Sequence, residues 1–451
     1  MTPIRLSGIK WKTDNMKIYK YPSKVAQNRI AAIVNRGLGF KKKDLHEVNR
    51  ILENVKKHGD KALIKYTNRF DAPGLKAASL KVTDREFGDA AKKVDKAFTR
   101  ALNRAASQIE AFHRLQFPKS WITTQRPGTL LGQLVNPVAA AGVYVPGGIG
   151  GKTPLVSSVL MGVIPARIAG VGQIVMVTPP TGNGKINPHL LMAAKKAGVD
   201  AIYKVGSAWA IAALAYGTET IPQVDVIVGP GNIYVTLAKK MVAGTVGIDM
   251  IAGPSEILVI ADGSVIPEFT AADLLSQAEH DIVASAILVT NSRATAKAVA
   301  SAIEQQLPGL DRRDVARTSL DRYGAILIVP DIASAVELAN KIAPEHLELH
   351  IKDPFAYIGR IRNAGAVFMG EYTPEPVGDY MAGPNHVLPT AGTARFASAL
   401  SVDHFTKKTS LIHYSKEAFS GEAGDIIRLA EIEGMGAHAN AVKVRSKFGK
   451  K

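Results

Sequence analysis

Short runs of β-forming residues that end at glycine or proline alternate with helical stretches through most of this chain, and no other feature constrains its fold as strongly. One series of these runs comprises residues 142–146, 174–180, 201–206 and 224–229. A second series comprises residues 256–261, 286–290, 325–330, 347–351 and 366–369. Such alternation is typical of βαβ units, whose strands pair in parallel. We therefore predict an α/β protein with two parallel sheets.

The segments before and after these runs have a different pattern. Between residues 41 and 115, apolar residues recur at helical spacing, as Leu45, Val48 and Leu52 do, which predicts a helical lead-in. The C-terminal segment contains a helical tract over residues 423–433 and a strand-like run over residues 441–444. Because so short a tail cannot bury a core of its own, we expect it to dock elsewhere on the protein.

Composition limits the class of protein and its chemistry. With 451 residues, 46% of them hydrophobic, the chain can form a globular protein of about three domains. It contains no apolar run of the roughly 18 residues that a membrane helix needs, and its first residues lack the order of a signal peptide, so we expect a cytoplasmic protein with no membrane partner. The absence of cysteine excludes disulfides, thiolate zinc sites and cysteine nucleophiles, so any metal must use nitrogen and oxygen ligands.

The net charge of +17 invites a nucleic-acid interpretation. Much of this charge lies near the two chain ends and in the run Lys41, Lys42 and Lys43, without interleaved aromatic residues or a nucleic-acid-binding signature. We expect solvated basic faces and no nucleic-acid partner.

Gln277 and His280 stand three residues apart at the end of an apolar-periodic segment, so their side chains should project from one helix face. A carboxamide oxygen and an imidazole nitrogen at this spacing can bind one metal ion but supply only half of its ligands. Asp379 and His438 are candidates for the other half. The alternative is a solvated or core histidine at a helix end.

Two glycine-rich stretches resemble phosphate-binding turns, and neither fits its motif. Residues 146–153 end in Gly-Lys-Thr, but Pro146 stands where a P-loop needs its first glycine, which argues against an ATPase. Residues 229–232 follow a strand-like run and open a helix, but Tyr234 stands where a dinucleotide turn needs its third glycine. A nonstandard cofactor turn and a simple tight turn both remain open there.

Glu345 and His346 are adjacent where a predicted helix gives way to a strand, a junction at which we expect the site of an open α/β sheet. Side chains that are adjacent on an extended backbone face opposite ways, so we expect these two to serve different partners. Histidine can accept an alcohol proton and glutamate can activate water, although a structural role for both is the alternative. His386, in a polar turn-rich loop, and Ser255, in a turn at a strand entrance, are further candidates.

Taken together, these residues resemble the histidinol dehydrogenase family. The resemblance runs in order over nearly the entire chain from about residue 20. The stretches that carry it are residues 144–148, 211–217, 229–232, 252–256, 274–280, 343–346, 378–380, 385–389 and 433–438.

The resemblance implies two incomplete Rossmann-like parallel-sheet domains with a helical N-terminal lead-in and a small extended C-terminal tail region, in a homodimer with intertwined tails. We accordingly expect an N-terminal arm over residues 1–36 that packs with the tail, and a dimerisation tail over residues 401–451. Between them we expect a discontinuous Rossmann-like domain over residues 37–143 and 255–400 that carries the metal and catalytic residues. Residues 144–254 would form a second Rossmann-like domain on the NAD side.

The same resemblance implies one zinc ion per subunit and NAD-dependent oxidation of L-histidinol through L-histidinal to L-histidine, the final steps of histidine biosynthesis. Gln277, His280 and Asp379 would hold zinc together with His438 of the partner subunit, His346 would be the main base, and Glu345 would activate water. The positions that resemble substrate contacts are Ser255, Gln277, His280, His346, Asp379, His386, Glu433 and His438. Those that resemble dinucleotide contacts are Tyr144, Trp209 and Asn232.

Trp209 is a departure, because the family pattern usually has glutamine at this position. We predict that its ring stacks on the cofactor or closes a weakly held NAD pocket. The alternative is a tryptophan that packs in the interior.

Two rival functions remain open. The first is the same scaffold acting on another polyol, such as a sulfonated diol, but the carboxylate of Glu433 suits a cationic imidazole substrate and would repel a sulfonate. The second is a basic nucleic-acid-binding protein without catalysis, which would show steeply salt-dependent DNA binding and no zinc.

Overall fold

A computed structural model describes residues 16–36, 39–147 and 153–448, and it confirms the α/β class. Residues 1–15 of the expected arm and residues 148–152 of the glycine-rich stretch lie outside the described residues. The described helices are α1 (Lys24–Val34), α2 (Lys42–Phe70), α3 (Asp84–Ala91), α4 (Lys96–Arg114), α5 (Val156–Ala169), α6 (Pro188–Ala197), α7 (Ser207–Tyr216), α8 (Ile233–Val242), α9 (Pro267–Ala278), α10 (Arg293–Gln306), α11 (Arg313–Tyr323), α12 (Ile332–Ile342), α13 (Glu375–Val377), α14 (Lys416–Ile432) and α15 (Gly436–Phe448).

The strands form two parallel sheets and one small antiparallel sheet. They are β1 (Ile18–Lys20), β2 (Trp121–Thr123), β3 (Thr129–Pro137), β4 (Ala140–Tyr144), β5 (Gln173–Thr178), β6 (Ala201–Lys204), β7 (Val226–Val228), β8 (Gly247–Ile248), β9 (Glu256–Ala261), β10 (Ser285–Thr290), β11 (Ala325–Ile328), β12 (His346–His350), β13 (Ala366–Met369) and β14 (Thr406–Tyr414). The nine strand-like runs of the sequence correspond to β4–β7 and β9–β13, so the prediction of two parallel sheets is confirmed.

The larger sheet has six strands in the order β1-β11-β10-β9-β12-β13. All six residues of β9 and all five of β12 are buried. Strands covered on both faces usually read as continuous apolar runs, as β9 does after Glu256, whereas β12 alternates its leucines with His346, Glu348 and His350. In the register of these central strands, His346 pairs with Ile257, so the start of β12 lies beside the start of β9.

The smaller parallel sheet has five strands in the order β6-β5-β4-β7-β8. The chain runs outward from β4 through β5 to β6 and then returns to the other side of β4 as β7. The carboxyl ends of β4 and β7 therefore flank a topological switch point, where open α/β sheets usually bind dinucleotides.

The helical lead-in packs against the helices of the five-stranded sheet. Val48, Leu52 and Val55 of α2 belong to the same buried cluster as Ile211 and Leu214 of α7. In the expected arm, β1 extends the edge of the six-stranded sheet by pairing with β11. The division into domains stays a prediction.

The C-terminal segment differs from its expected secondary structure. The strand-like run 441–444 lies inside α15, so that prediction was wrong. Two valines in alternation suggested a strand, but the alanines, lysines and arginines around them are good helix formers. The strand of this segment is instead β14, which pairs antiparallel with β3, from Thr406 opposite Pro137 to Tyr414 opposite Thr129.

Within the three described ranges, no helix combines the length and apolar character needed to cross a bilayer.

Candidate active site

The candidate catalytic residues lie at the amino ends of the central strands of the six-stranded sheet. Glu345 immediately precedes β12, and His346 is its first residue. Open α/β sheets usually bind ligands at the carboxyl ends of their strands, whereas these residues lie at the amino ends. The rule that led us to expect a site at this junction therefore does not apply here. Ser255 immediately precedes the neighbouring strand β9, so the sheet register places it near the start of β12.

One residue, Glu256, supplies backbone partners to both catalytic candidates. The ring Nδ1 of His346 lies 2.9 Å from the carbonyl oxygen of Glu256, and the backbone N–H of Glu256 donates to Oε2 of Glu345 at 2.9 Å. Glu345 and His346 were expected to face opposite ways, but Oε2 of Glu345 lies 3.7 Å from Nδ1 of His346, so that prediction was wrong. Glu345 belongs to the bend before the strand rather than to the strand, which allows both side chains to approach Glu256.

This arrangement fixes the chemical state of His346. A carbonyl oxygen can only accept, so Nδ1 carries the proton and Nε2 keeps its lone pair. Burial lowers the pKa of His346 to about 4, so the ring is neutral at physiological pH. Burial also raises the pKa of Glu345 well above its usual range. Nε2 of His346 is therefore available as a proton acceptor.

Asp379, in the π-helical turn Gly378–Ala382 that continues α13, and His386, in the loop after it, converge on the same region. Oδ1 of Asp379 lies 3.4 Å from Nδ1 of His386. Burial acts in the opposite direction, but the contact with His386 and the charge of that ring lower the pKa of Asp379. A carboxylate held in its charged form is a suitable metal ligand.

Gln277 and His280 are brought to this region by the end of α9. Gln277 is fully buried, and neither its Oε1 nor its Nε2 has a hydrogen-bond partner in the described part of the chain. His280 lies two residues beyond the helix end, is exposed, and interacts electrostatically with Asp379 and His386. A buried carboxamide without a partner costs free energy unless a ligand satisfies it.

Glu375 is a member of this site that sequence reasoning missed. Ligand atoms of His346, Glu375 and Asp379 lie within 4.8 Å of one another. Glu375 is buried, and that burial, together with the charge of Asp379, raises its pKa to about 8. The available signal was its position four residues before Asp379 on a helical segment.

A second buried polar cluster lies next to the site. Nε2 of His350 is 3.4 Å from carboxylate oxygens of both Asp273 and Glu348, and Oε1 of Glu348 accepts from the backbone N–H of Glu375 at 2.9 Å. Glu348 thereby connects β12, which carries His346, to the loop that carries Asp379.

A cavity of about 320 Å³ is lined in part by the candidate site residues. His346, Asp379 and His386 contribute to its polar side, and Phe368 and Leu388 to its apolar side. Its volume suits a small organic molecule.

The two candidate residues of the tail lie apart from this cluster. Glu433 and His438 are exposed. Among the described residues, neither side chain forms a hydrogen bond or ion pair with the other site candidates. Glu433 caps α14, and His438 lies in the first turn of α15. Within one chain, the site therefore consists of residues before position 400.

The dinucleotide candidates flank the switch point of the five-stranded sheet. Tyr144 ends β4, is buried, and accepts a hydrogen bond from the backbone N–H of Ser207 at 3.3 Å. Asn232 follows β7 and caps α8, because its Oδ1 accepts from the N–H groups of Tyr234 and Val235. A side chain at Gly229 would collide with the backbone of Tyr144, so only glycine allows this close approach.

Comparison with known proteins identifies the family. A family model described as histidinol dehydrogenase matches residues 36–446. The chain belongs to the histidinol dehydrogenase family.

Individual members of this oxidoreductase family are similar over most of their length. A histidinol dehydrogenase of Desulfotalea psychrophila is 56% identical over 400 residues, which is 89% of this chain and 92% of the relative. A histidinol dehydrogenase of Syntrophotalea carbinolica is 54% identical over 418 residues, which is 93% of this chain and 96% of the relative. The crystal structure of histidinol dehydrogenase from Elizabethkingia anophelis is 38% identical, superposes with a TM-score of 0.91, and covers 98% of this chain and 100% of that one. These histidinol dehydrogenases favour neither rival function.

Trp209, the position that departs from the family pattern, lies in the first turn of α7 against two aromatic rings of α2. Its ring centroid is 5.8 Å from that of Tyr66 and 5.6 Å from that of Phe70, and both pairs are stacked. The residue is buried, and its Nε1 has no partner among the described residues. Because the ring is buried and stacks on two other rings of the protein, this geometry favours the packing alternative, and a cofactor role stays a prediction.

Proposed function

We propose that this chain oxidises L-histidinol through L-histidinal to L-histidine, with one zinc ion per subunit and two NAD molecules reduced per substrate. The observation that carries this proposal is the buried carboxamide of Gln277, which has no hydrogen-bond partner among the described residues and lies three residues before His280, a neighbour of Asp379. This chain has no cysteine, so a zinc site in it must use nitrogen and oxygen ligands. The proposed ligands meet that condition, and the chain belongs to a family of histidinol dehydrogenases.

The residues fit a zinc site that is incomplete within one chain. Gln277, His280 and Asp379 would supply three ligands, and His438 of the partner subunit would supply the fourth. The exposure of His280 and of the tail in the isolated chain supports this arrangement, because both surfaces are available to a second copy. When bound, zinc would accept the imidazole and amino nitrogens of histidinol as further ligands and so orient the carbinol carbon.

His346 performs the proton transfers of the first oxidation. Its Nε2 accepts the hydroxyl proton of the substrate while the hydride leaves the carbinol carbon for NAD. The carbonyl of Glu256 holds Nδ1 and stabilises the ring when it becomes charged. The low pKa that burial imposes keeps the ring in the accepting form before the reaction.

Glu345 activates water for the second oxidation. Burial raises the pKa of Glu345, so the group must first release its proton, and its carboxylate is then a stronger base toward water than an exposed carboxylate would be. The N–H of Glu256 directs Oε2 of Glu345 to the side of the site where His346 lies. The aldehyde formed in the first step stays in the cavity until water attacks it.

The remaining candidates contact substrate and cofactor. Ser255, His386 and Glu433 would contact histidinol, with Glu433 reaching in from the partner tail and favouring a cationic substrate. Tyr144 and Asn232 would contact NAD at the switch point of the five-stranded sheet. A cytoplasmic location and the absence of nucleic-acid partners stay predictions.

The test is a count of NADH formed per histidinol by the purified protein. The proposal expects two NADH per histidinol, loss of activity after chelation, and recovery when zinc is added. A ratio of one, or activity that survives complete removal of metal, would contradict it. Oxidation of a sulfonated diol in preference to histidinol would support the rival substrate class.

A further inference from the structure

Arg36, at the end of the N-terminal arm, places a buried guanidinium next to the candidate active site. Its side chain is 2% exposed. Nε donates to the carbonyl of Val283 at 2.8 Å, Nη1 donates to the carbonyl of Ile33 at 2.8 Å and to Oε1 of Glu256 at 3.0 Å, and Nη2 donates to the carbonyl of Ser255 at 3.2 Å. Four acceptors from three separate segments therefore meet at one side chain.

These acceptors belong to the segments that carry the site. Val283 lies three residues after His280, in the turn that leads from α9 to β10. Ser255 and Glu256 form the entrance to β9, and the backbone of Glu256 holds both Glu345 and His346. The guanidinium thus connects a candidate metal ligand, a candidate substrate contact and the anchor of both catalytic residues.

We propose that Arg36 is a positioning residue for the active site: it sets the place of the Ser255–Glu256 turn relative to the turn after His280, and through Glu256 the orientation of His346. This inference rests on the proposed function, because that function defines what is positioned. Arg36 itself contacts neither His346 nor Glu345, so it acts through Glu256.

The chemistry of the contacts requires arginine. A planar guanidinium presents five N–H groups in fixed directions, which matches one carboxylate and three carbonyls arranged around it. Lysine would keep the positive charge but offers three donors from a single point on a flexible chain. Glu256 balances the buried positive charge of Arg36. A lysine variant would keep opposite charges at these two positions but would lose the directed hydrogen bonds of the guanidinium.

A purely structural role predicts a different result from a positioning role. If Arg36 only docked the arm, its loss would lower stability and leave each folded molecule fully active. Arg29 provides the matched control, since it lies on helix α1, which ends two residues before Arg36, and its guanidinium also donates to backbone carbonyls, those of Gly324 and Asp321, away from the site.

The experiment compares Arg36→Lys with Arg29→Lys in the full-length zinc-loaded protein. For Arg36→Lys, we expect kcat to fall at least tenfold, the pH dependence of kcat/KM to shift, and zinc to be lost at a chelator concentration at least several-fold lower than for Arg29→Lys. For Arg29→Lys, we expect a lower melting temperature with kcat within twofold of wild type. Equal loss of melting temperature in both variants, with kcat and zinc retention of Arg36→Lys unchanged, would overturn the proposal.

A second variant covers the case in which Arg36→Lys does not fold. Glu256→Gln keeps the shape of the side chain and its backbone contacts but removes the charge that orients the guanidinium. We expect a folded protein with reduced kcat and the same shift in pH dependence, and full activity would overturn the proposal. If the wild-type protein forms no NADH from histidinol, the proposed function has failed, and zinc retention alone then decides the role of Arg36.

Discussion

His346 and Glu256 are joined by a 2.9 Å hydrogen bond between the ring Nδ1 and the backbone carbonyl oxygen. The bond assigns the proton to Nδ1 and leaves Nε2 as the base, so the neighbouring strand sets the tautomer of the catalytic histidine.

Replacing His346 by glutamine should remove this base without emptying the metal site. We expect His346→Gln to lower kcat by about 10²–10⁴-fold, as is typical when a general base is lost, and to retain zinc. Steady-state kinetics and metal analysis check both statements. The control is His413→Gln, which changes an exposed histidine on β14 and should leave kcat unchanged. Retention of most of the activity by His346→Gln would exclude the ring as the base.

Glu345→Gln should separate the two oxidations. Glutamine keeps the acceptor for the N–H of Glu256 but cannot take a proton from water. We expect the variant to form one NADH per histidinol and to accumulate the aldehyde, which a carbonyl-trapping reagent would detect. Formation of two NADH at an undiminished rate would remove Glu345 from the second step.

Trp209 should contribute mainly to stability if its stacking between Tyr66 and Phe70 is its principal role. We expect Trp209→Gln to lower the free energy of unfolding by about 2–4 kcal/mol, because a large buried ring and two aromatic contacts are lost. Trp209→Phe should lose less, since it keeps a ring and removes an N–H that has no partner in the described part of the chain.

The Michaelis constant for NAD in the same two variants tests the cofactor role of Trp209. A clear change in that constant in Trp209→Gln, with unfolding little affected, would support contact with NAD. An unchanged constant would end that hypothesis.

Asp71 should make stability depend on pH. It lies at the end of α2 with Oδ2 buried and unpartnered among the described residues, and burial raises its pKa from 3.8 to about 7. The folded protein therefore favours the protonated acid. The loss of folding stability caused by ionising Asp71 is absent below pH 3.8, grows as the pH rises to 7, and is complete above 7.

Removing this charge should stabilise the protein only at the higher pH values. We expect Asp71→Asn to raise the free energy of unfolding by on the order of 1–2 kcal/mol more at pH 8 than at pH 5, after allowing for partial solvent access. Denaturant unfolding at both pH values measures this difference. Asp89→Asn, which changes an exposed carboxylate of α3, is the control and should show little pH-dependent gain. An equal effect at both pH values would contradict the assignment.

Sequence reasoning predicted the parts of the fold that local pattern determines. The strand β9 is buried along its whole length and reads as an apolar run, as buried parallel strands usually do, whereas the equally buried β12 was recognised by its alternating leucines. The strand β14 was missed because most of its residues are exposed and its partner β3 lies far away in the chain. The valines of residues 441–444 suggested a strand, although the surrounding residues favour the helix α15.

The candidate site was predictable only in part for the same reason. Resemblance identified His346 and Asp379 by their motifs, whereas Glu375 and Arg36 gain their significance from contacts between distant segments. Glu348 and His350 read as polar residues of a strand, which would normally face solvent, yet both are fully enclosed. No local pattern predicts a buried cluster whose members come from α9 and β12.

Subunit complementation tests the central claim, that each site combines one chain with the tail of its partner. His280→Ala and His438→Ala should each be inactive alone, because each lacks one zinc ligand at every site. Unfolding and reassembling the two variants together should restore activity to about a quarter of wild type, since half of the dimers are mixed and each mixed dimer has one intact site. Restored activity is the predicted result, and a mixture that remains inactive although mixed dimers are isolated would contradict the account.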